Sequence, residues 1–356
     1  MADRTRATTI ADVAQRAGVS QASVSRVLNG KQNVDPAIAT RVHDAVAALR
    51  YTPSIAARSL VHGRNDTVAM VVPDLENPLF QGILKGLSLA AAADGYRVLV
   101  ADTAEQSGEE AAIAREARHR CDAIVLCAPR MPAAQLRALA PLLAPAVVVN
   151  RSLDDLAVPT VGVDYARGMR DLVEHLAALG HRRLVFLAGP DASSSQAERM
   201  RGLRDAVTAL PGVSVDTLAC GSRLDDGHRS GEAVAAAVRA GASAVIAFND
   251  LVALGLMPRL VELGLRIPED VSVAGFDDVP LARYATPPLT SMSVPRSELG
   301  AQVWSRLRAL IAGEPSEHAL LFRPRLEHRA STAPPSRARR PAGVREALLA
   351  ESEVPA

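Results

Sequence analysis

Residues 9–29 (TIADVAQRAGVSQASVSRVLN) decide the fold of the first part of the chain. Thr9 precedes a short apolar run with Asp12 in its first turn, which is typical of a helix N-terminus. Gly18 then ends the helix at a turn that needs a positive φ, a conformation that glycine adopts freely. A second helix starts at about Ser20. The pattern predicts a helix-turn-helix, with a plain helical hairpin as the alternative.

The side chains of these two helices divide into a predicted core and an outer face. Ala14 is small where the second helix crosses the first. The predicted core residues are Val13, Ala17, Val19, Val24 and Val27. The outer face combines short side chains that can approach phosphates with a glutamine and an arginine that can hydrogen-bond base edges. This face comprises Ser20, Gln21, Ala22, Ser23, Ser25 and Arg26.

The charge distribution favours the same partner. Through residue 65 there are nine basic and four acidic side chains, a net charge of +5, whereas the rest of the 356-residue chain carries −4. A basic head on an acidic body indicates that the head binds a polyanion.

The next segment predicts one longer helix and a hinge. Asp35 is a predicted N-cap before Pro36, and this helix extends to about Leu49. Residues 55–60 could form one or two further turns, and a linker follows.

From residue 67 onward, Val- and Ala-rich runs alternate with amphipathic segments, which predicts parallel sheets with crossover helices. The predicted strands are residues 68–72, 97–101, 123–126, 146–149, 160–163, 183–188, 215–219, 244–248 and 271–276. The longest predicted helices are residues 80–92, 167–179 and 296–311. So many strands indicate two lobes. The expected fold class is α/β, with a helix-turn-helix headpiece and hinge helix before a body of doubly wound parallel sheets.

The headpiece closely resembles that of the LacI–GalR family of bacterial regulators, whose body has a periplasmic-binding-protein-like fold. The matching segments are residues 9–14, 17–20, 23–29, 51–54 and 56–60. Ser54 stands where asparagine is more usual in this family. The resemblance continues to about Ala330. It divides the chain into a headpiece (1–53), a hinge helix and linker (54–65), an effector-binding and dimerisation body (66–330) and a predicted disordered tail (331–356).

The resemblance implies a DNA site in the headpiece and hinge. Gln21, Ala22 and Arg26 are expected to read the major groove, where arginine suits bidentate pairing with guanine. Leu60, with Ala57 behind it, is expected to be the minor-groove wedge that kinks the operator, with ordinary packing as the alternative. The residues expected to position the headpiece on phosphates are Thr9, Ser20, Ser23, Ser25 and Asn29.

The resemblance also implies a ligand cleft between the two lobes, at the carboxyl ends of the strands. The expected effector-binding residues are Asp74, Asn77, Phe80, Arg151, Arg199, Asn249 and Asp277. Asp250 is expected to be a helix N-cap, and Asp278 a turn residue. Val294 replaces a polar ligand contact of many members, so the alternatives to a standard sugar are a smaller ligand, a less hydroxylated ligand or a sugar acid.

Two other classes of protein compete with a regulator. The sequence has none of the P-loop, nucleophile-elbow, zinc-protease or dinucleotide motifs, which argues against an enzyme. His175, His181 and His228 are expected on the solvated surface, and no cofactor or metal is expected. A free periplasmic binding protein would need a signal peptide, and the N-terminus shows none. We therefore expect a cytoplasmic homodimer, not bound to membrane, that binds a palindromic DNA operator under control of a sugar or sugar derivative.

Overall fold

The computed structural model describes residues 8–28, 34–51, 64–151, 153 and 155–336. The chain divides into two units between Asn65 and Asp66, and each unit is described by itself. The helices of the first unit are α1 (Ile10–Ala17), α2 (Gln21–Leu28) and α3 (Pro36–Ala48).

The first unit confirms the helix-turn-helix. The Thr9 hydroxyl and the Asp12 backbone and carboxylate form a capping box at the start of α1. Gly18 has φ +64° and ends α1. The core of the unit joins all three helices and consists of Val13, Ala14, Ala17, Val24, Val42, Ala45 and Tyr51.

The second unit is a two-lobed α/β body. Its elements in chain order are β1 (Thr67–Val72), α4 (Pro78–Ala93), β2 (Arg97–Asp102), α5 (Glu110–Arg120), β3 (Ala123–Cys127), α6 (Ala133–Leu139), β4 (Ala146–Val149), β5 (Thr160–Val163), α7 (Tyr165–Ala178), β6 (Arg183–Ala188), α8 (Ser194–Ala209), β7 (Ser214–Ala219), α9 (Leu224–Arg229), α10 (Gly231–Arg239), β8 (Ala244–Ala247), α11 (Asp250–Glu262), β9 (Ser272–Asp277), β10 (Thr290–Ser293), α12 (Arg296–Ala312), β11 (Ala319–Phe322) and β12 (Arg325–Glu327). Short 3₁₀ helices span Ala140–Leu143 and Pro280–Tyr284.

Two six-stranded sheets form the lobes, in the orders β11-β5-β4-β3-β1-β2 and β12-β10-β9-β8-β6-β7. All neighbouring strands are parallel except β10 and β12. The chain passes between the sheets three times, after β5, after β10 and after β11. The strand carboxyl ends of both sheets face the space between the lobes, which is where such folds bind ligands.

The body extends past the boundary predicted at residue 330. The backbone carbonyl of Ser331 accepts the Val273 N–H at 2.8 Å, and the Ser331 hydroxyl donates to the Val273 carbonyl at 2.6 Å. Ala333 and Ser272 are likewise hydrogen-bonded, at 3.0 Å. The predicted disordered tail was therefore wrong for its first residues, 331–333. Composition does not reveal that these residues lie along β9.

His181 is buried, in contrast to its predicted surface position. Its Nδ1 lies 2.8 Å from the Ser243 hydroxyl and its Nε2 lies 2.9 Å from the Ala333 carbonyl. Burial lowers the pKa of His181 from its ordinary 6.5 to about 4. The folded body therefore favours the neutral imidazole.

We expect acid to destabilise the body through His181. A histidine with a lowered folded pKa contributes its stability above the unfolded value and loses it as the pH falls from 6.5 towards 4. Between pH 7 and pH 5 the loss is about 2 kcal/mol. Urea unfolding of His181→Gln should show a correspondingly smaller difference between the two pH values. His119→Gln, at an exposed histidine, is the control and should match the wild type; an unchanged pH dependence in His181→Gln would contradict the assignment.

Candidate functional site

The predicted DNA-reading face is presented by α2. Gln21, Ala22 and Arg26 are exposed, whereas Val24 on the opposite side is buried. The Ser20 hydroxyl accepts the Ser23 N–H at 3.1 Å and so caps α2.

This places exposed polar and short side chains at a helix N-terminus, which attracts phosphate. Thr9 caps α1 in the same way, and Ser23 and Ser25 are half-buried beside the exposed face. Asn29, Ala57 and Leu60 lie outside the described residues.

A cavity that is partly open to solvent lies between the two lobes of the body, with about 410 Å³ of space between its lining residues. It brings together six of the seven predicted effector residues: Asp74, Asn77, Phe80, Arg199, Asn249 and Asp277. It is also lined by residues that the sequence analysis did not single out: Leu79, Glu105, Ala128, Arg130, Asn150, Tyr165, Ser195, Ser222 and Phe248.

Arg199 is the most buried cation of this cavity. Its side chain is 2% exposed, and its guanidinium carbon lies 4.3 Å, 4.5 Å and 4.3 Å from the ring centres of Tyr165, Phe248 and Phe276. The Asp277 carboxylate is 3.6 Å away. Aromatic faces and a carboxylate together stabilise a guanidinium that has lost its water.

Asp277 and Arg199 keep unused hydrogen-bonding capacity. Asp277 Oδ1 and Arg199 Nε are buried without a hydrogen-bond partner among the described residues, and 3.6 Å is too long for a hydrogen bond between the two groups. Burial raises the pKa of Asp277 to about 7, although Arg199 opposes the shift. A ligand hydroxyl could donate to the carboxylate and accept from the guanidinium.

Asn150 has the same property in the first lobe. Its Nδ2 and Oδ1 are both buried and find no partner in the described part of the chain. Its φ is +54°, and Ala128 and Asp277 at the ends of two other strands also have positive φ values, +46° and +103°. Backbone strain and unsatisfied polar atoms therefore coincide at the strand ends that line the cavity.

Several predicted ligand contacts already have partners within the body. The Asn77 side chain accepts the Leu79 N–H at 2.9 Å and so caps α4. Asp74 Oδ1 accepts the Glu76 N–H at 2.8 Å, while its Oδ2 lies 3.6 Å from Arg223 in the other lobe. One carboxylate therefore lines the cavity and also forms an ion pair between the lobes.

Arg151 does not line the cavity, so the structure does not support its place among the effector residues. Its Nη1 donates to the carbonyls of Pro129 and Met131, at 2.7 Å and 2.5 Å. The neighbouring Asn150 occupies the cavity instead. The positive φ of Asn150 turns the chain at the strand end, and strand periodicity alone does not foresee this.

The prediction that Asp250 is the N-cap of α11 was also wrong. Asn249 caps the helix by accepting the Val252 N–H at 2.9 Å. Asp250 is fully buried and accepts hydrogen bonds from the Ser291 hydroxyl at 2.6 Å and the Val279 N–H at 2.7 Å. Burial raises its pKa. Asp250 therefore supports the turn that carries Asp277.

Val294 is 3% exposed and packs in the core, so this position contributes no cavity contact. The described residues contain no group of three or more His, Cys, Asp or Glu side chains that could hold a metal ion. No helix of the described ranges is long and apolar enough to cross a membrane.

A helix-turn-helix unit joined in one chain to a two-lobed body with a polar cleft defines the class of ligand-responsive DNA-binding regulators. Comparisons with known proteins agree with this class. The family described as bacterial regulatory proteins, lacI family, matches residues 9–54, and the periplasmic binding protein-like domain matches residues 173–332.

The repressor CytR of Escherichia coli (strain K12) is 31% identical over 315 residues, covering 86% of this chain and 91% of that protein. The regulator GalR of the same strain is 32% identical over 332 residues, covering 92% and 96%. The Lac repressor dimer bound to operator and the anti-inducer ONPF has a TM-score of 0.82 at 26% identity, covering 92% of this chain and 100% of that one. The CelR–cellobiose complex has a TM-score of 0.66 at 30% identity, covering 91% of this chain and 99% of that one. The chain belongs to the lacI family of bacterial regulatory proteins and is a transcriptional regulator.

We expect Asn150→Gly to leave the stability of the body nearly unchanged. The Asn150 amide has no described partner to lose, and glycine accommodates φ +54°. The free energy of unfolding should stay within about 1 kcal/mol of the wild type in urea denaturation. Asp250→Ala is the contrast, because it leaves buried donors of Ser291 and Val279 unsatisfied and should cost at least about 2 kcal/mol. Equal losses in the two variants would show that Asn150 is a structural residue.

Proposed function

We propose that the chain is a repressor that binds a palindromic operator as a dimer and releases or retains DNA according to a small-molecule effector in the interlobe cavity. The exposed Gln21–Ala22–Arg26 face on a capped helix is the observation that carries the DNA-binding part. The relatives support the rest, since CytR is named a repressor and the Lac repressor was solved as a dimer on operator. A regulator that binds operator DNA would act in the cytoplasm, and we include this location in the proposal.

A polar cavity and the CelR–cellobiose relative together support a sugar or sugar derivative as effector. The side chains that would hydrogen-bond the effector are those with unsatisfied donors and acceptors, Asn150, Arg199 and Asp277. Phe80 would offer an aromatic face to the ligand.

Exposed apolar side chains of the body support the dimer. Leu89 on α4 and Leu99 on the adjacent β2 are 63% and 49% exposed. In the other lobe, Leu281 and Tyr284 on one 3₁₀ helix are 55% and 77% exposed. Apolar side chains grouped on neighbouring elements mark interaction surfaces. A two-fold pairing of the bodies would present two headpieces to two half-sites.

The coupling of cavity to DNA would use the movement of the lobes. A ligand that binds one arrangement of the lobes more tightly shifts the population towards it, by no more than its difference in affinity. The family resemblance assigns the transmission to the hinge, with Ala57 and Leu60 in the minor groove.

The DNA-binding proposal predicts a base-specific role for Arg26. Selection from random duplexes with the full chain should yield a palindrome. Arg26→Ala should then cost about 1–3 kcal/mol and relax the preference at one base pair of each half-site. Arg16→Ala, an exposed arginine on α1, is the matched control, and any loss it causes should be the same on every sequence. A uniform loss for Arg26→Ala would make Arg26 a phosphate contact, and failure of the chain to select DNA would overturn the proposed function.

The dimer proposal predicts a solution mass of twice 37.4 kDa. Leu89→Arg or Tyr284→Arg should shift sedimentation towards the monomer, because a charge would be buried without a partner. Leu142→Arg is the control, since Leu142 is 76% exposed on a different 3₁₀ helix. A monomer in the wild type, or an equal effect of the control, would contradict the assigned surface.

A further inference from the structure

The charged side chains of the cavity are already matched in pairs. Five of its lining residues carry charge: Asp74, Glu105, Arg130, Arg199 and Asp277. Each lies within 4.0 Å of an opposite charge: Glu105 pairs with Arg130 at 2.7 Å, Arg199 with Asp277 at 3.6 Å and Asp74 with Arg223 at 3.6 Å. One pair belongs to each lobe, and the third joins the lobes.

The pair in the first lobe is the most closely hydrogen-bonded of the three. Arg130 Nε and Nη2 donate to the two carboxylate oxygens of Glu105, at 2.7 Å and 3.0 Å. The buried Glu110 accepts the backbone N–H groups of Arg130 and Met131, at 2.9 Å and 2.7 Å. The side chain of Arg130 is 6% exposed, and its Nη1 makes no hydrogen bond to a described residue. Arg130 thus lines the cavity with a guanidinium whose charge is compensated by Glu105.

This arrangement disfavours a charged ligand. An anionic ligand group would have to compete with Glu105 for the Arg130 guanidinium, and beside Arg199 it would lie close to the like charge of Asp277. A cationic group would displace Arg130 or Arg199 in the same way. The unsatisfied atoms are a mixture of donors (Asn150 Nδ2, Arg199 Nε) and acceptors (Asn150 Oδ1, Asp277 Oδ1). A hydroxyl group satisfies both kinds, because it donates one hydrogen bond and accepts others.

We propose that the effector is an uncharged polyhydroxyl molecule, a neutral sugar and not a sugar acid or sugar phosphate, and that the Arg130–Glu105 pair is the determinant of this selectivity. The inference rests on the proposed function, because it specifies the ligand of the same cavity. The bidentate Glu105 makes Arg130 a neutral unit that can donate to a hydroxyl or ring oxygen. Sugar carbons would face Phe80, Tyr165 and Phe248.

The first test uses matched sugars of three charge classes on the full chain without DNA. The neutral probes are D-glucose, D-galactose, D-mannose and cellobiose, the acids are their uronate or cellobionate counterparts, and the phosphates are the 6-phosphates of the three monosaccharides. At least one neutral sugar should raise the midpoint of thermal unfolding, as a ligand of the folded state must. Its acid and phosphate should bind at least about tenfold more weakly. Stronger binding of an acid or phosphate, or no response to any probe, overturns the inference.

The second test changes the charge of the pair. Glu105→Gln keeps the size of the side chain but removes the counter-charge of Arg130, so the ratio of acid to neutral affinity should rise about tenfold or more. Asp155→Asn is the control, because Asp155 pairs with Arg137 at 2.6 Å on the exposed surface of the same lobe. An unchanged ratio in Glu105→Gln, or the same change in the control, overturns the role of the pair. If Glu105→Gln fails to fold, the sugar panel on the wild type still decides the charge class. Operator selection does not depend on either result, so a failure of the proposed function is seen separately.

Discussion

The body depends on burying the guanidinium of Arg199 without losing its charge compensation. A cation that is 2% exposed needs partners from its surroundings, and here they come from the start of α7, from the residue after β8 and from the end of β9. Three elements therefore have to meet at one point. Asp277 lies at the end of its strand with φ +103°. The Asp250 carboxylate supports that conformation by accepting a hydrogen bond from the Val279 N–H. The contacts that fold this part of the second lobe are therefore also the contacts that form the cavity.

The regular part of the fold could be predicted from the sequence because it depends on local pattern. Strands 146–149, 160–163 and 183–188 have the observed bounds, since buried parallel strands are uninterrupted apolar runs. The caps at Thr9 and Asp35 were predicted for a similarly local reason. Three short strands were missed: β10, β11 and β12. Thr290–Ser293 illustrates why, because its polar residues are buried only through partners such as Asp250 and Ser331 that are about 40 positions away.

The cavity was foreseen in outline and differed in detail. Six of the residues that the resemblance pointed to line the cavity, but it favoured Arg151 over its neighbour Asn150. Arginine is the more familiar ligand contact, but the cavity is lined by Asn150, whose φ after β4 is positive, and not by Arg151. No pattern in the sequence identified Arg130 and Glu105 as cavity residues, because their ion pair joins two loops that are 25 residues apart. Ion pairs between loops leave no periodicity in a sequence.

Neutral pairing of the cavity charges also bears on how a ligand could move the lobes. Asp74 and Arg223 attract each other across the cleft at 3.6 Å with Arg223 half exposed, so this contact is weak on its own. A ligand that bridges Asn150 in one lobe and Arg199 in the other adds hydrogen bonds only when the lobes are close. Such a ligand binds much more tightly to the close arrangement of the lobes than to the open one. This difference in affinity is what shifts the population of the two arrangements. A charged ligand would use part of that energy to break an existing ion pair within a lobe. An uncharged ligand breaks no ion pair, so nearly all of its binding free energy can hold the lobes together. Charge pairing within each lobe therefore favours transmission of the binding signal to the rest of the protein.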